Sequence, residues 1–514
     1  MLFNSFEFIL VFLPVVLLGY YLLKRTAPEA APVLWLVAAS LFFYSWWRVE
    51  YLPLLLYSIL GNYSLGLYLG REALRPKWRK LVLAAGIVIN LGLLGYYKYA
   101  NFFIETLNAL AGTRWDGLTI LLPLAISFFT FQQIAYLVDS YQGKTRHYGF
   151  LHYCLFVSFF PQLIAGPIVH HRDMMPQFMR NRRQPLQLDN ISIGLVIFTV
   201  GLAKKVLIAD NLALFATPVF AKADAGGTLT LVEAWQGALA YSLQLYFDFS
   251  GYCDMAVGAA RCFGIVLPIN FNSPYRSRNI IEFWRRWHIT LSTFLRDYLY
   301  IALGGNRLGP VRRYANLMLT MLLGGLWHGA GWNFAIWGGL HGIFLVINHG
   351  WRGLTSGIPA MPAWIHRIGG LLGMLLTLVC VVFAWVFFRA ESLAGAVAML
   401  EGMVGRNGTT LPAKYLSRWS EFGPWLSQKG VNFQDLETLQ SLSPLWNMLA
   451  LWVFVCSAPN IYNLLAHKQP VLEEVQRSRF ALPLTPLTGF FCGLLLVAGL
   501  LSLSRVSEFL YFQF

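Results

Sequence analysis

Two histidines, His328 and His341, interrupt the apolar run MLLGGLWHGAGWNFAIWGGLHGIF at 321–344. Ionisable groups inside a membrane-length segment are expensive and mark paths for protons, ions or substrates. The competing role is a structural imidazole hydrogen-bonded between helices. His328 is the stronger candidate, because glycines at 324, 325, 329 and 331 permit close backbone approach and a helix break beside the imidazole. His341 follows thirteen positions later, about 20 Å along an unbroken helix. The two cannot form a dyad on one straight helix. A better partner is His288, near the centre of NIIEFWRRWHITLSTFLRDYLYIALGGNR at 279–307. That stretch mixes Trp284, Trp287 and Phe294 with Arg285, Arg286 and Arg296, which suits a helix at the membrane interface or tucked into the protein. LYFDFSGYCDMAVG at 245–258 adds Asp248 and Asp254, whose ordinary explanation is a helix-packing hydrogen bond or an ion pair with an arginine.

Several chemistries lack their signatures. There is no GxxxxGK[ST] loop, no HExxH and no GxSxG, so phosphate-loop ATPase, zinc-protease and serine-hydrolase readings find no support. The adjacent His170 and His171 do not have the spacing of metal ligands on a helix and read as a surface pair. The six cysteines lie in or beside apolar stretches without a Cys-x-x-Cys pair, so neither a disulfide framework nor a zinc site is indicated.

The elements that must position these groups are membrane helices. Of 514 residues, 57% are hydrophobic and 12% charged, far from a soluble domain. Stretches such as 8–23, 52–70, 371–388 and 489–503 approach the ~20 apolar residues of a spanning helix, and roughly ten to thirteen crossings or half-crossings are expected on that criterion. The first stretch has no basic flank before it and no small-residue cleavage site after it, and reads as a retained span. The excess of 39 Lys and Arg over 24 Asp and Glu follows first from the positive-inside rule, not from nucleic-acid binding. REALRPKWRK at 71–80 and the eight arginines between 263 and 318 mark cytoplasmic faces. Residues 390–443, with four basic and five acidic residues, suit a periplasmic loop or small surface element. On this count both termini lie on the outer side. No repeat of fixed period is visible, so an inverted-repeat transporter gains no support.

EFWRRWHITLSTFLRDYLYIALGGNR followed by LWHGAGWNFAIWGGLHG closely resembles the membrane-bound O-acyltransferase (MBOAT) family, in its bacterial, alginate-acetylating branch. YYKYANFF, FQQIAYLVDSYQG, FFPQLIAGPIV and the closing FLYFQF extend the likeness over nearly the whole chain. The resemblance implies an all-α polytopic membrane protein, a single domain over 1–514, built as a helical bundle around a central funnel or tunnel. It implies His328 as the catalytic histidine and His288 as its partner; Asp248, Asn333 and His341 are supporting polar candidates. Imidazole titrates in the range a general base for acyl transfer requires. His288 then either orients His328 or donates to the tetrahedral oxyanion. The implied donor is acetyl-CoA or an acyl-carrier thioester, drawn to Arg285, Arg286 and Arg296, with no bound metal or other cofactor. The implied partners are the bacterial inner membrane and periplasmic polysaccharide-modifying proteins, with alginate, cellulose, other exopolysaccharide or peptidoglycan as acceptor. The competing class is a non-catalytic conduit that recruits a periplasmic acetyltransferase. In the related teichoic-acid D-alanylation system a similar aromatic ending carries a tyrosine implicated in acyl transfer, which makes Tyr511 an acyl-carrier candidate.

Overall fold

The computed structural model describes residues 1–71, 75–145, 148–164, 166–180, 187–357, 362–503 and 510. The described residues are predominantly helical, with two three-residue strands among them. Among the described residues five helical segments are long and apolar enough to cross a membrane: Glu7–Thr26, Val49–Leu69, Pro76–Ala111, Leu188–Asp224 and Ala363–Arg389. Four shorter apolar helices, Ala31–Ser45, Leu393–Met403, Ser443–Ser457 and Pro486–Ser502, accompany them. Other long helices fall outside this set because polar groups are written into them. Leu231–Cys262, at 32 residues, is long enough to cross but carries Glu233, Asp248, Asp254 and Arg261. Lipid accounts for the outward side chains. On Ala363–Arg389, Leu371, Leu372, Leu375 and Leu376 are exposed, while Val381, Val382 and Trp385 on the same helix are buried.

The helices fall into two compact units. The first comprises residues 1–203, 250–270 and 461–513. Its aromatic core joins Phe3, Phe8, Phe43 and Tyr252, with Phe3 stacked on Tyr252 at 4.7 Å between centroids and 4.8 Å from Phe8. Such contacts add about 0.5–1.5 kcal/mol each beyond their burial. Asp254 is settled here by a 2.6 Å hydrogen bond from the Tyr462 hydroxyl.

The first unit also corrects the reading of His170 and His171 as a surface pair. His171 is 1% exposed, and its Nε2 lies 3.0 Å from Oδ2 of the buried Asp139. Asp139 comes from the helix Ile126–Tyr141. The adjacency of the two histidines concealed that the helix His171–Arg180 begins by turning its first residue inward.

The second unit comprises residues 204–249 and 271–460 and contains all the histidines of the two motifs. Asp248 is paired in it, but with a lysine and not an arginine. Lys205 Nζ lies 2.6 Å from Asp248 and 2.7 Å from Asp210, and the lysine is 1% exposed. Lys205 sits in a π-helical turn, Lys204–Ala209, and such turns re-aim side chains that a regular helix directs elsewhere. Lys205→Met leaves two carboxylates without this cation, and removal of one partner of a buried pair costs about 3–5 kcal/mol. The expected result is a markedly lower melting temperature of the purified protein, partly restored by adding Asp248→Asn. Melting of Lys205→Met at the wild-type temperature would show that the pair is dispensable.

Residues 390–443 form a small folded element with one helix of apolar character, Leu393–Met403, and the parallel strands Thr409–Leu411 and Val431–Phe433. Leu411, Tyr415, Leu439 and Leu442 are its core. The Tyr415 hydroxyl accepts the Leu442 N–H at 3.2 Å.

Candidate active site

The apolar run around His328 folds as a hairpin of two helices, Pro310–His328 and Trp332–Thr355. Proline at the start of the first needs no N–H partner there. The helix ends on His328 itself, and Gly329 and Gly331 continue in extended conformation before the second helix begins. The hairpin is unusually close. A Cβ on Gly325 would fall 2.2 Å from the Phe334 carbonyl oxygen, and one on Gly338 would fall 2.3 Å from that of Met321. The glycines therefore serve contact between helices as well as the break. The break explains why His328 and His341 do not share one straight helix.

His328 is 5% exposed. Trp327, Trp337 and Phe388 enclose its ring at 5.0, 5.2 and 5.3 Å between centroids. The fourth neighbour is the His288 ring, at 6.1 Å. The sequence expectation of one helix through His288 is replaced by two short ones, Ile280–Trp284 and Ile289–Phe294, with His288 between them. Asn279 caps the first by accepting the Glu282 N–H at 3.0 Å. His288 is left-handed, at φ 44° and ψ 53°, a conformation that costs a non-glycine residue about 1–3 kcal/mol and gathers at functional sites. The strained turn directs a wholly buried imidazole against Phe249, at 4.9 Å, and towards His328.

At this separation one small polar group placed between the rings can meet both imidazoles. Such a pair, shielded by indole and phenyl walls, can take a proton from a hydroxyl at one ring and hydrogen-bond developing negative charge at the other.

The remaining sequence candidates divide. Asn333 lies on the hairpin and is held by its Nδ2, which donates to the Ala390 carbonyl at 2.7 Å. Its Oδ1 is buried with no partner among the described residues. His341 is fully buried one layer away, on the far side of Trp337, whose ring is 4.8 Å from His341 and 5.2 Å from His328. Neither ring nitrogen of His341 has a partner among the described residues. Asp248 is committed to Lys205. Arg286 binds Glu282 at 2.8 Å, and Arg296 binds Asp297 at 2.7 Å, so both are already neutralised. Arg285 is exposed. Tyr511 lies outside the described residues.

Sequence reading missed Lys205, hidden in an amphipathic KK pair, and the walls Trp337 and Phe388, whose only signal was aromatic density. It also missed the backbone strain at His288, which has no sequence signature.

Comparison with known proteins agrees with this architecture. The model of the membrane-bound O-acyltransferase family matches residues 110–388. The chain is 47% identical to the peptidoglycan O-acetyltransferase of Helicobacter pylori over 88% of each chain. It is 41% identical to the "Probable alginate O-acetylase AlgI" of Pseudomonas putida over the full length of both. It is 28% identical to the teichoic acid D-alanyltransferase of Streptococcus thermophilus over 44% of this chain and 57% of that one. The matched region holds His288, the His328 hairpin and the walls around them, and the chain belongs to the membrane-bound O-acyltransferase family as a membrane-embedded O-acyltransferase.

Proposed function

We propose that this protein moves acetyl groups from a cytoplasmic thioester donor across the bacterial inner membrane, for O-acetylation of an extracytoplasmic polysaccharide. The observation that carries the reading is the buried pairing of His288 and His328 at 6.1 Å, within aromatic walls that exclude water. His328 takes the proton of the accepting hydroxyl as its oxygen attacks the thioester carbonyl. His288 hydrogen-bonds the tetrahedral oxyanion or holds His328 in position. Collapse expels the thiolate, which recovers the proton from His328, so a single imidazole closes the proton balance. The donor is acetyl-CoA or an acyl-carrier thioester.

The acetylated acceptor is a bacterial polysaccharide. The relatives' names support alginate and peptidoglycan equally well as its identity. Residues 1–514 act as one membrane domain, with both termini and residues 390–443 on the periplasmic side, where the polysaccharide-modifying partners meet it.

Tyr511 is the acyl carrier in this reading, and its phenolic oxygen is the first acceptor. Tyr511→Phe keeps the ring and removes the nucleophile. In proteoliposomes loaded with labelled acetyl donor, wild-type protein should deliver label to an external acceptor, whereas Tyr511→Phe should deliver none while remaining folded. Full delivery by Tyr511→Phe would remove the carrier step and make the external acceptor react at His328 directly. Failure of the wild type to deliver any label would overturn the proposed function itself.

A further inference from the structure

The first unit contains a polar pocket of about 780 Å³ whose lining includes neither His288 nor His328. That volume lies in the range of small-molecule sites. Its walls come from the end of His171–Arg180, the beginning of Leu188–Ala203, the last turn of Leu231–Cys262 and the loop 466–475. The loop is bent sharply into this shape. Gln469 is left-handed, at φ 45° and ψ 67°, a conformation that disfavours a residue with a side chain and persists only where surrounding structure enforces it.

The polar groups of the pocket separate into those already satisfied and those left over. Gln177 is satisfied: it accepts the Val266 N–H at 2.8 Å and donates to the Val266 and Asp173 carbonyls, each at 2.9 Å. Asn190 donates to Gln187 at 2.9 Å. Glu473 accepts the Ile269 N–H at 2.8 Å through one carboxylate oxygen. Arg261 is left over. Among the described residues its one hydrogen bond is long, 3.4 Å, from Nη2 to the Lys468 carbonyl. Its Nε is buried, and among the described residues it has no acceptor and the guanidinium has no ion-pair partner. Arg180, at the rim, is likewise without an ion-pair partner among the described residues.

A half-buried guanidinium with an empty Nε edge presents the planar fork that matches two oxygens of a phosphate. The acids Glu473 and Glu474 share the lining. They would repel a bare polyanion, and they complement an amine. We propose that this pocket binds a phosphate ester that also carries an amino group, charged or neutral, with Arg261 on the phosphate, Arg180 as a second cation, and Glu473 or Glu474 accepting the amino N–H. Two sources offer that chemistry: the aminopurine nucleotide end of a soluble thioester donor, and the headgroup of phosphatidylethanolamine.

The test is a binding measurement, so it is independent of whether His328 performs acyl transfer. Full-length protein in phosphatidylcholine nanodiscs is titrated with adenosine 3′,5′-bisphosphate, and separately exchanged into nanodiscs containing phosphatidylethanolamine and analysed by native mass spectrometry. One of the two ligands is expected to bind, with Arg261→Gln weakening it by at least about tenfold, since a hydrogen-bonded charge pair is lost. Arg180→Gln, a rim substitution, should weaken it by a smaller factor. The arm that responds identifies the source. Glu473→Gln together with Glu474→Gln should lower the preference for adenosine 3′,5′-bisphosphate over inorganic pyrophosphate, or for phosphatidylethanolamine over phosphatidylglycerol. Binding of neither ligand, or binding unaffected by both Arg261→Gln and Arg180→Gln, overturns the assignment.

Discussion

Gly338→Leu is expected to abolish assembly of the histidine hairpin. The missing Cβ would already lie 2.3 Å from the Met321 carbonyl oxygen and close to Gly325 on the opposite helix. Both obstacles are backbone, so no side-chain rotamer relieves them. The helices must separate, which opens the walls around His328. Overpacking a well-packed core costs about 1–3 kcal/mol even where side chains can yield; here they cannot, and the cost falls at or above the upper end. Gly331→Ala is the control, since its nearest contact is an ordinary 3.6 Å to the Phe334 ring and its backbone is extended. The yield of monodisperse protein and its fluorescence melting curve should separate the two variants clearly. Equal stability of Gly338→Leu and Gly331→Ala would mean that the hairpin is not packed as closely as described.

His328→Ala should reduce acyl transfer by about 10²–10⁴, the usual contribution of a positioned general base. The protein should remain folded, because His328 lies at a helix end against large rings that do not depend on its nitrogens for their packing. His288 variants should rank differently. Alanine there loses the imidazole and also bears the left-handed backbone, whereas asparagine keeps a hydrogen-bonding group and tolerates that conformation better. His288→Asn is therefore expected to be both more active and more stable than His288→Ala. Measurement of the acetyl content of polysaccharide made by cells carrying each variant, alongside membrane levels of the protein, checks the ranking. An inactive asparagine variant beside an active alanine one would contradict a hydrogen-bonding role.

The membrane class was legible from apolar length, and His328 from the glycines beside its imidazole. His288 as its neighbour came from the likeness of the two motifs to the family, and the structure brings the two rings to 6.1 Å. The positions of His341 and Asp248 were less legible. A helix break places Trp337 between the two hairpin histidines, and which groups that break separates depends on packing that no spacing rule encodes. Asp248 was expected to make a helix-packing hydrogen bond or an ion pair with an arginine; a π-helical turn brings Lys205 to it. The buried His171–Asp139 pair was missed for a related reason: the two residues come from different elements, and adjacency to His170 suggested a surface. Arg285, Arg286 and Arg296 were offered as donor contacts from charge alone; in the structure Arg286 pairs with Glu282 and Arg296 with Asp297. Charge runs report topology more readily than ligand contacts.

The central claim is that the imidazole of His328 performs the transfer itself within this chain. Purified protein mixed with donor labelled in the acetyl group, and quenched within one turnover, tests it most directly. The wild type should transfer label from the thioester to a hydroxyl oxygen, forming an ester that is stable to acid and released by mild base. His328→Ala should bind the donor with unchanged affinity and form no such ester. Equal ester formation by the two proteins, or none by a folded, donor-bound wild type, would contradict the account.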